Sequence, residues 1–498
     1  MNLTKKLFSY IVAIAMIFTL TAFAGGAVNA ANAKTYQLSL QNKGKTTHTF
    51  EVYQIFTGDL SEGILSNVHW GNGVSEEGKT ALGDAAKKAE DLAKSTDNSL
   101  PVKTFAEDLQ KYLQNGTEKE VAANDSAYIE GLAAGYYLVK DKADSQNKTE
   151  GAYTSYILKV VKDTTATTKL DIPTVEKKVQ DTNDSNGETS GWQDSADYDI
   201  GDEIPYQITG SMPANIANYK SYKYIFTDTM SKGLTFNDDA TIKIGDTVVT
   251  GSFEKSVTEK DDGSTVVTWT CANLKGIEGV TLDANTTVVV NYTAKLNENA
   301  VIGSAGNPNT VNLTYSNNPN KGGEGDTGKT PDDKNIVFTY KTVVNKVDQN
   351  GKTPLKGAGF TLQKKVNGAY TNVKSLTAGD TTTFEFTGLD DGDYKLIEST
   401  TPAGYNRITP IEFTISATHN ETSDDPQLLT LSGNKTAGEA TFTADKGAGS
   451  LTTNVVNKPG SILPETGGMG TTVLYVLGGV LVALAAAYVI YTKKHEKA

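Results

Sequence analysis

Cysteine is nearly absent. Cys271 is the only one in 498 residues, so no disulfide can close within the chain. An exported protein of several domains must then rely on packing, or on some other covalent brace, for its stability. Histidine is also scarce: the 4 residues are scattered, with no nucleophile motif around them, and no catalytic constellation of a secreted hydrolase can be found. Positive charge is in deficit. The 46 Lys and Arg against 59 Asp and Glu leave a net charge of −13, which argues against nucleic acid or an anionic membrane surface as partner and suits a soluble, surface-displayed chain. Nothing in the residues calls for a cofactor or a metal.

Long apolar runs are confined to the two ends. Lys5 and Lys6 precede an apolar stretch from Leu7 to Phe23, followed by small residues through Ala33. Val28-Asn29-Ala30 and Ala31-Asn32-Ala33 both fit a signal-peptidase site, so residues 1–33 are expected to be a signal peptide, with a mature start near Ala31 or Lys34. At the other end, an apolar run from about Val473 to Tyr491 is long enough to cross a bilayer as a helix. Lys493, Lys494 and Lys497 beyond it should hold the tail on the cytoplasmic side, which leaves residues from about 34 to 462 outside the cell.

The length suggests about three domains. In residues 34–170, strand-like stretches at Tyr36–Leu40, Thr49–Phe56, Gly135–Val139 and Tyr153–Val161 bracket two segments of helical spacing, Glu76–Lys94 and Val102–Gln114. In residues 171–335 the strands are short and separated by Gly, Asn and Asp turns, as in Glu203–Ile208, Thr265–Trp269 and Thr286–Tyr292. Many short strands without helices suggest a sandwich. Asn317–Asp333, dense in Asn, Gly, Pro and Asp, reads as a loop into the next domain, and residues 336–458 repeat the pattern on a smaller scale.

Leu463-Pro464-Glu465-Thr466-Gly467, the apolar span and the basic tail together resemble the LPxTG sorting signal of Gram-positive surface proteins, here within residues 459–498. The resemblance implies that a sortase cysteine attacks the Thr466 carbonyl, releases everything from Gly467 onward and leaves a thioester for an amine to resolve. Pro464 fixes an extended bend that an active-site groove can take up. Lys346-Val347-Asp348, Pro354–Leu362 and Glu398–Tyr405 resemble the collagen-adhesin B-type domain, a small immunoglobulin-like sandwich, and residues 171–335 look like the fimbrial variant of the A type. The whole arrangement resembles a sortase-assembled backbone pilin. It implies an all-β fold of tandem immunoglobulin-like β-sandwich domains, the first with a helical insert, between a signal peptide and a C-terminal transmembrane helix. The protein would be structural, not an enzyme. Its partners would be a class C-type pilin sortase, a housekeeping sortase, sibling subunits and peptidoglycan.

Pilins of this family brace each sandwich with a Lys–Asn isopeptide bond formed beside a carboxylic acid. The lysine must be neutral to attack, and burial among apolar side chains lowers its pKa. The acid must be protonated to polarise the Asn carboxamide as ammonia leaves. Strand phase favours Lys177, which shares a face with Val175 and Val179, over Lys178, and Asn309, which shares one with Val311 and Leu313, over Asn312. The resemblance supplies Asp228 as the acid. In the next domain it points to Lys346, Glu398 and Asn457, with Asn457 in phase with Val455. The N-terminal domain offers no convincing triad.

The resemblance also implies an exposed lysine just before the second domain that resolves the thioester of the next subunit. Lys169 fits by position, although the Tyr-Pro that precedes such a lysine in relatives is missing; Lys162 is the alternative. Two motifs are decoys. Gly323–Thr330 satisfies the P-loop string, yet Pro331-Asp332-Asp333 follows where a helix should open. Asp181–Glu188 hints at a calcium loop but misses the EF-hand spacing and reads as a solvated turn. The rival readings are a monomeric wall-anchored adhesin and a minor tip or basal pilin.

Overall fold

Alternating apolar residues lay down the strands. In Tyr36–Gln41 and Tyr224–Met230 every second side chain is buried, the period-two signature of a sheet packed on one face. The computed structural model describes residues 34–95, 100–168, 172–460 and 469–495; the expected signal peptide falls outside them.

In the first part of the chain, Tyr36–Gln41 lies between Ser126–Leu132 and Thr164–Thr167. His48–Ser61 anchors a second sheet with Ile64–Trp70, Thr117–Val121 and Gly135–Asp141. Leu38, Leu40, Phe50 and Val139 fill the space between the sheets. Phe56, Val68, Leu92 and Phe105 form a second core that holds the helical insert. The first expected helix is two, Glu76–Leu82 and Ala85–Ala93. Gly83, at φ 84°, breaks it, and Asp84 caps the second piece by accepting from the Lys87 backbone N–H at 2.8 Å. A third helix spans Leu100–Leu109.

The middle sandwich faces two sheets across one core. One runs Ser195–Asp197, Asp333–Phe338, Asn307–Ser316, Tyr224–Met230, Thr265–Cys271 and Glu254–Glu259. The other runs Thr247–Val248, Thr241–Ile244, Thr287–Leu296, Glu203–Ser211 and Val175–Val179. Tyr206, Phe226, Trp269, Tyr292 and Val311 interdigitate between them. In the third sandwich, Tyr340–Val347 pairs in parallel with Ser450–Val456, and the facing sheet is built around Gly359–Val366, Gly392–Thr400 and Ile411–His419. The strand Asp333–Phe338 serves both sandwiches: Val337 packs in the middle core, Ile336 and Phe338 in the third.

The junctions are made by segments whose sequences read as loops. Asn317–Asp333 turns back on the first domain. Asn317 Nδ2 donates to the Gln146 and Gly151 carbonyls at 2.6 and 3.0 Å, and Thr327–Lys329 pairs with the strand Asn307–Ser316. No helix follows the P-loop string; the strand Asp333–Phe338 does. Asp181–Glu188, expected as a solvated turn, docks on the third domain: Asn183 Nδ2 donates to Asp391, and Ser185 Oγ accepts from the Asp393 backbone N–H. At this junction Asp181, Asp184, Asp197, Asp199, Asp202, Asp390 and Asp391 gather around Lys364 and His419. Lys364 Nζ lies 2.9, 2.5 and 3.2 Å from Asp184, Asp199 and Asp390. Near the C-terminus the helix Met469–His495 carries an apolar stretch, Val473–Lys494, of 22 residues. At 1.5 Å per residue that is about 33 Å, enough for a hydrocarbon core of roughly 30 Å.

The junction should be sensitive to pH. Burial, with carboxylate repulsion, pushes Asp181 and Asp202 up to about 6 and Asp391 to about 7. His419 is raised to about 10 by Asp181 and Asp197, against the effect of its burial. Raised values mean that the folded state holds more protons than the unfolded chain across the interval from about pH 4 to 7, so stability falls as pH rises there. Melting of residues 34–460 is expected to shift upward by several degrees between pH 7.5 and pH 5.5. A flat or inverted profile in scanning calorimetry would contradict this.

Candidate functional site

Three lysines are buried among the described side chains: Lys177, Lys346 and Lys364. They have different surroundings, and that difference decides what each can do.

Lys177 sits in the strand Val175–Val179 opposite Ile208, while Lys178 points the other way to a half-buried pairing with Asp194. The Lys177 ammonium is fully enclosed. Nζ lies 2.7 Å from Asp228 Oδ1 and 2.6 Å from the Tyr292 hydroxyl, with the Tyr206 and Tyr292 rings 4.9 and 5.0 Å away. Burial lowers the pKa of this lysine, against the pull of Asp228. Asp228 comes from the next sheet, in Tyr224–Met230, where it faces Val311; Asn309 faces Met230 in the same ladder. Tyr292 joins the pieces. Its hydroxyl donates to Asp228 Oδ2 at 2.5 Å and accepts from Asn309 Nδ2 at 2.8 Å. Asn309 Oδ1 is buried with no hydrogen-bond partner, whereas Asn312 turns to Asp332.

Lys346 occupies the equivalent place in Tyr340–Val347. Its Nζ donates to the Val347 and Val455 carbonyls at 2.9 and 3.0 Å, and burial lowers its pKa to about 8, against the charge of Glu398. Asn457, at the end of the neighbouring parallel strand, is fully buried, and its Nδ2 donates to Glu398 Oε1 at 2.8 Å. Asn457 Oδ1 has no hydrogen-bond partner, and Asn454 is exposed. In the third domain the acid therefore meets the amide nitrogen; in the middle domain the Tyr292 hydroxyl touches that nitrogen, with Tyr206 beside it.

Lys364 is the contrast. Burial would lower its pKa, but Asp390, Asp199 and Asp184 outweigh that and raise it, so it stays a cation. Among the described residues, three metal-ligating side chains converge only at this junction, in Asp184, Asp199 and Asp202, in Asp197, Asp390 and Asp391, and in Asp181, Asp197 and His419, where Lys364 and His419 already supply positive charge. In residues 34–168 no described lysine is buried. The sorting pentapeptide Leu463, Pro464, Glu465, Thr466 and Gly467 and the acceptor candidate Lys169 lie outside the described residues; Lys162 is exposed, just before Thr164–Thr167.

Sequence reasoning missed Tyr292 and Tyr206. The signal was available, because Tyr292 follows Val288 and Val290 in phase and pairs with Tyr206 across the sheet. Asp333 and Asn335, which bind the Lys177 backbone N–H and carbonyl at 2.5 and 3.0 Å, gave no such signal.

Residues 200–319 match the family model described as Gram-positive pilin backbone subunit 2, Cna-B-like domain, and residues 341–426 match a prealbumin-like fold domain. The chain is similar to the trypsin-resistant surface T6 protein of Streptococcus pyogenes serotype M6, with 26% identity over 405 residues, 67% of this chain and 71% of that one. The solved T6 backbone pilin of the same organism, described as a modular three-domain structure, superposes with a TM-score of 0.55 at 19% identity, covering 87% of this chain and 100% of that one.

Replacing Lys364 tests a buried lysine that its carboxylate neighbours hold as a cation. Lys364→Met strips the cation from three carboxylates and should cost about 3–5 kcal/mol, the usual penalty for breaking a buried ion pair. It should leave the intact mass, apart from the substitution, unchanged. Denaturant unfolding and mass spectrometry of the same preparation check both halves.

Proposed function

We propose that this chain, which carries the domains of Gram-positive backbone pilins, is the repeating subunit of a covalent surface pilus, braced internally by two lysine–asparagine amides. The observation that carries the bracing is that each of two sandwiches buries a lysine of lowered pKa and an asparagine whose carbonyl oxygen has no partner, and in the middle one both touch the Tyr292 hydroxyl.

The chemistry follows from those neighbours. The attack needs Nζ as a free amine, and the 2.7 Å contact with Asp228 Oδ1 is the path by which its proton can leave. The amine attacks Asn309 Cγ, the Cγ–Nδ2 bond breaks, and one proton moves from Nζ to the departing nitrogen, so ammonia leaves and a secondary amide remains. Lys346, Glu398 and Asn457 run the same exchange. Each bond forms once within its own product, so the protein does not act as an enzyme in the turnover sense.

Polymerisation uses the ends. A pilin sortase forms a thioester at Thr466, releases Gly467 and the membrane span behind it, and passes the acyl group to Lys169, or to the exposed Lys162, of the next subunit. A housekeeping sortase transfers the finished polymer to peptidoglycan. The apolar stretch Val473–Lys494 fits the retention of the subunit in the membrane until it is cleaved.

Intact mass of a residue 34–462 fragment should fall short of the sequence mass by two ammonia molecules, roughly 34 Da by the condensation stoichiometry. Lys177→Ala and Lys346→Ala should each restore one. Each amide closes a loop of more than about 100 residues, so its loss should cost on the order of 5 kcal/mol, or roughly 10–20 °C in melting temperature. A full sequence mass in the unsubstituted fragment would remove the bracing.

For assembly, Thr466→Ala and Lys169→Ala should each abolish the high-mass ladder in wall extracts of cells that hold the cognate sortase. A ladder that survives Lys169→Ala but not Lys162→Ala moves the acceptor. Single-band extracts from unsubstituted cells would favour a monomeric adhesin.

A further inference from the structure

We propose that the Tyr292 hydroxyl is the proton carrier for amide formation in the middle domain, spanning a gap that the shorter acid, Asp228, cannot close. This inference rests on the amide-forming reading above and concerns how one of its two sites works.

The two sites differ in one respect. In the third domain the acid is a glutamate, and Glu398 Oε1 meets the leaving nitrogen of Asn457 directly at 2.8 Å. In the middle domain the acid is an aspartate, one methylene shorter, and no hydrogen bond joins Asp228 to Asn309. Tyr292 stands between them, donating to Asp228 Oδ2 at 2.5 Å and accepting from Asn309 Nδ2 at 2.8 Å. The same oxygen accepts from Lys177 Nζ at 2.6 Å, so a single hydroxyl touches the nucleophile, the acid and the leaving group.

The proton balance needs one such group. After Nζ attacks Asn309 Cγ, the adduct carries a surplus proton on Nζ, and Nδ2 needs one to depart as ammonia. Once Nδ2 has become a tetrahedral amine with a free lone pair, the Tyr292 hydroxyl turns from Asp228 Oδ2 toward it, takes the surplus proton from Nζ as it gives its own to Nδ2, and ends as the neutral hydroxyl it began as. Asp228 keeps the proton it took from the Lys177 ammonium. Burial and the neighbouring Asp228 raise the Tyr292 pKa well above its ordinary value, so the transfer passes through the hydroxyl without a free phenolate. A relay of this kind contributes about 10²–10⁴-fold to a proton-transfer step.

The geometry also holds Tyr292 rigidly. It lies in Thr287–Leu296 directly opposite Tyr206, with the rings stacked at 5.3 Å and Trp269 and Phe236 packed around it. The phenol cannot swing out of the site without opening the core.

Tyr292→Phe keeps the ring and removes only the hydroxyl. In the residue 34–462 fragment, its mass deficit should drop from two ammonia molecules to one in fresh protein, with the second lost at least 100-fold more slowly on incubation. Peptide mapping should find the Lys346–Asn457 amide intact, which shows that the fragment has folded and that amide formation as such is sound. Asp228→Glu in the Tyr292→Phe background supplies the missing methylene and should recover the second loss.

Tyr292→Phe protein that loses both ammonia molecules at the unsubstituted rate overturns the relay. So does a folded double variant that stays unbonded between Lys177 and Asn309. If Tyr292→Phe alone does not fold, the double variant decides by the same readout. Absence of any deficit in the unsubstituted fragment is a different result, one that defeats the amide reading itself.

Discussion

An ammonium group shut inside an apolar core without enough negative charge to hold it is the constraint on which the middle and third sandwiches depend. Taking such a charge out of water costs several kcal/mol, and the protein can answer with counter-charges or by giving up the proton. Lys364 takes the first course: three aspartates surround it and keep it charged. Lys177 and Lys346 lean toward the second, with one acid each and pKa values lowered by burial. A neutral amine beside a buried carboxamide would be a reactive arrangement, and the proposed amides turn the burial that would destabilise an ordinary lysine to that use.

The positions of the pairs fit mechanical duty. Lys177 lies in an early strand of the middle sandwich and Asn309 in a late one. Lys346 lies within the parallel ladder that joins the first and last strands of the third, and Asn457 directly follows its end. A parallel ladder pulled from its ends is loaded in shear, and the proposed amide across it would shorten the chain that can be drawn out. With one cysteine in the whole sequence, disulfides could not serve this purpose.

Between the sandwiches the protein uses a different device. The strand Asp333–Phe338 gives alternate side chains to two cores, and the hairpin of Asp181–Glu188 reaches the third domain through Asn183, Asp184 and Ser185. Close backbone approach completes the junction: a Cβ on Gly303 would meet the Gly447 carbonyl oxygen at 2.5 Å, and its φ of 91° already favours glycine. The acidic cluster makes this contact a function of protonation, unlike the apolar cores on either side.

Composition, period-two alternation and the two apolar ends determined the all-β architecture, the helical insert and the apolar C-terminal helix, because these depend on which residues can be buried and how often they recur. Strand phase likewise separated Lys177 from Lys178 and Asn309 from Asn312, since successive side chains must point to opposite faces. Tertiary structure alone decided the rest. Asp333, Asn335 and the Tyr206–Tyr292 pair reach Lys177 by sheet pairing between segments far apart in the chain, which no local pattern records. Polar stretches that look like solvated loops, Asp181–Glu188 and Asn317–Asp333, become junctions because their hydrogen bonds find partners on another domain. Hydrophilic composition reports what a segment can bond to, and only the packed fold settles whether the partner is water or protein.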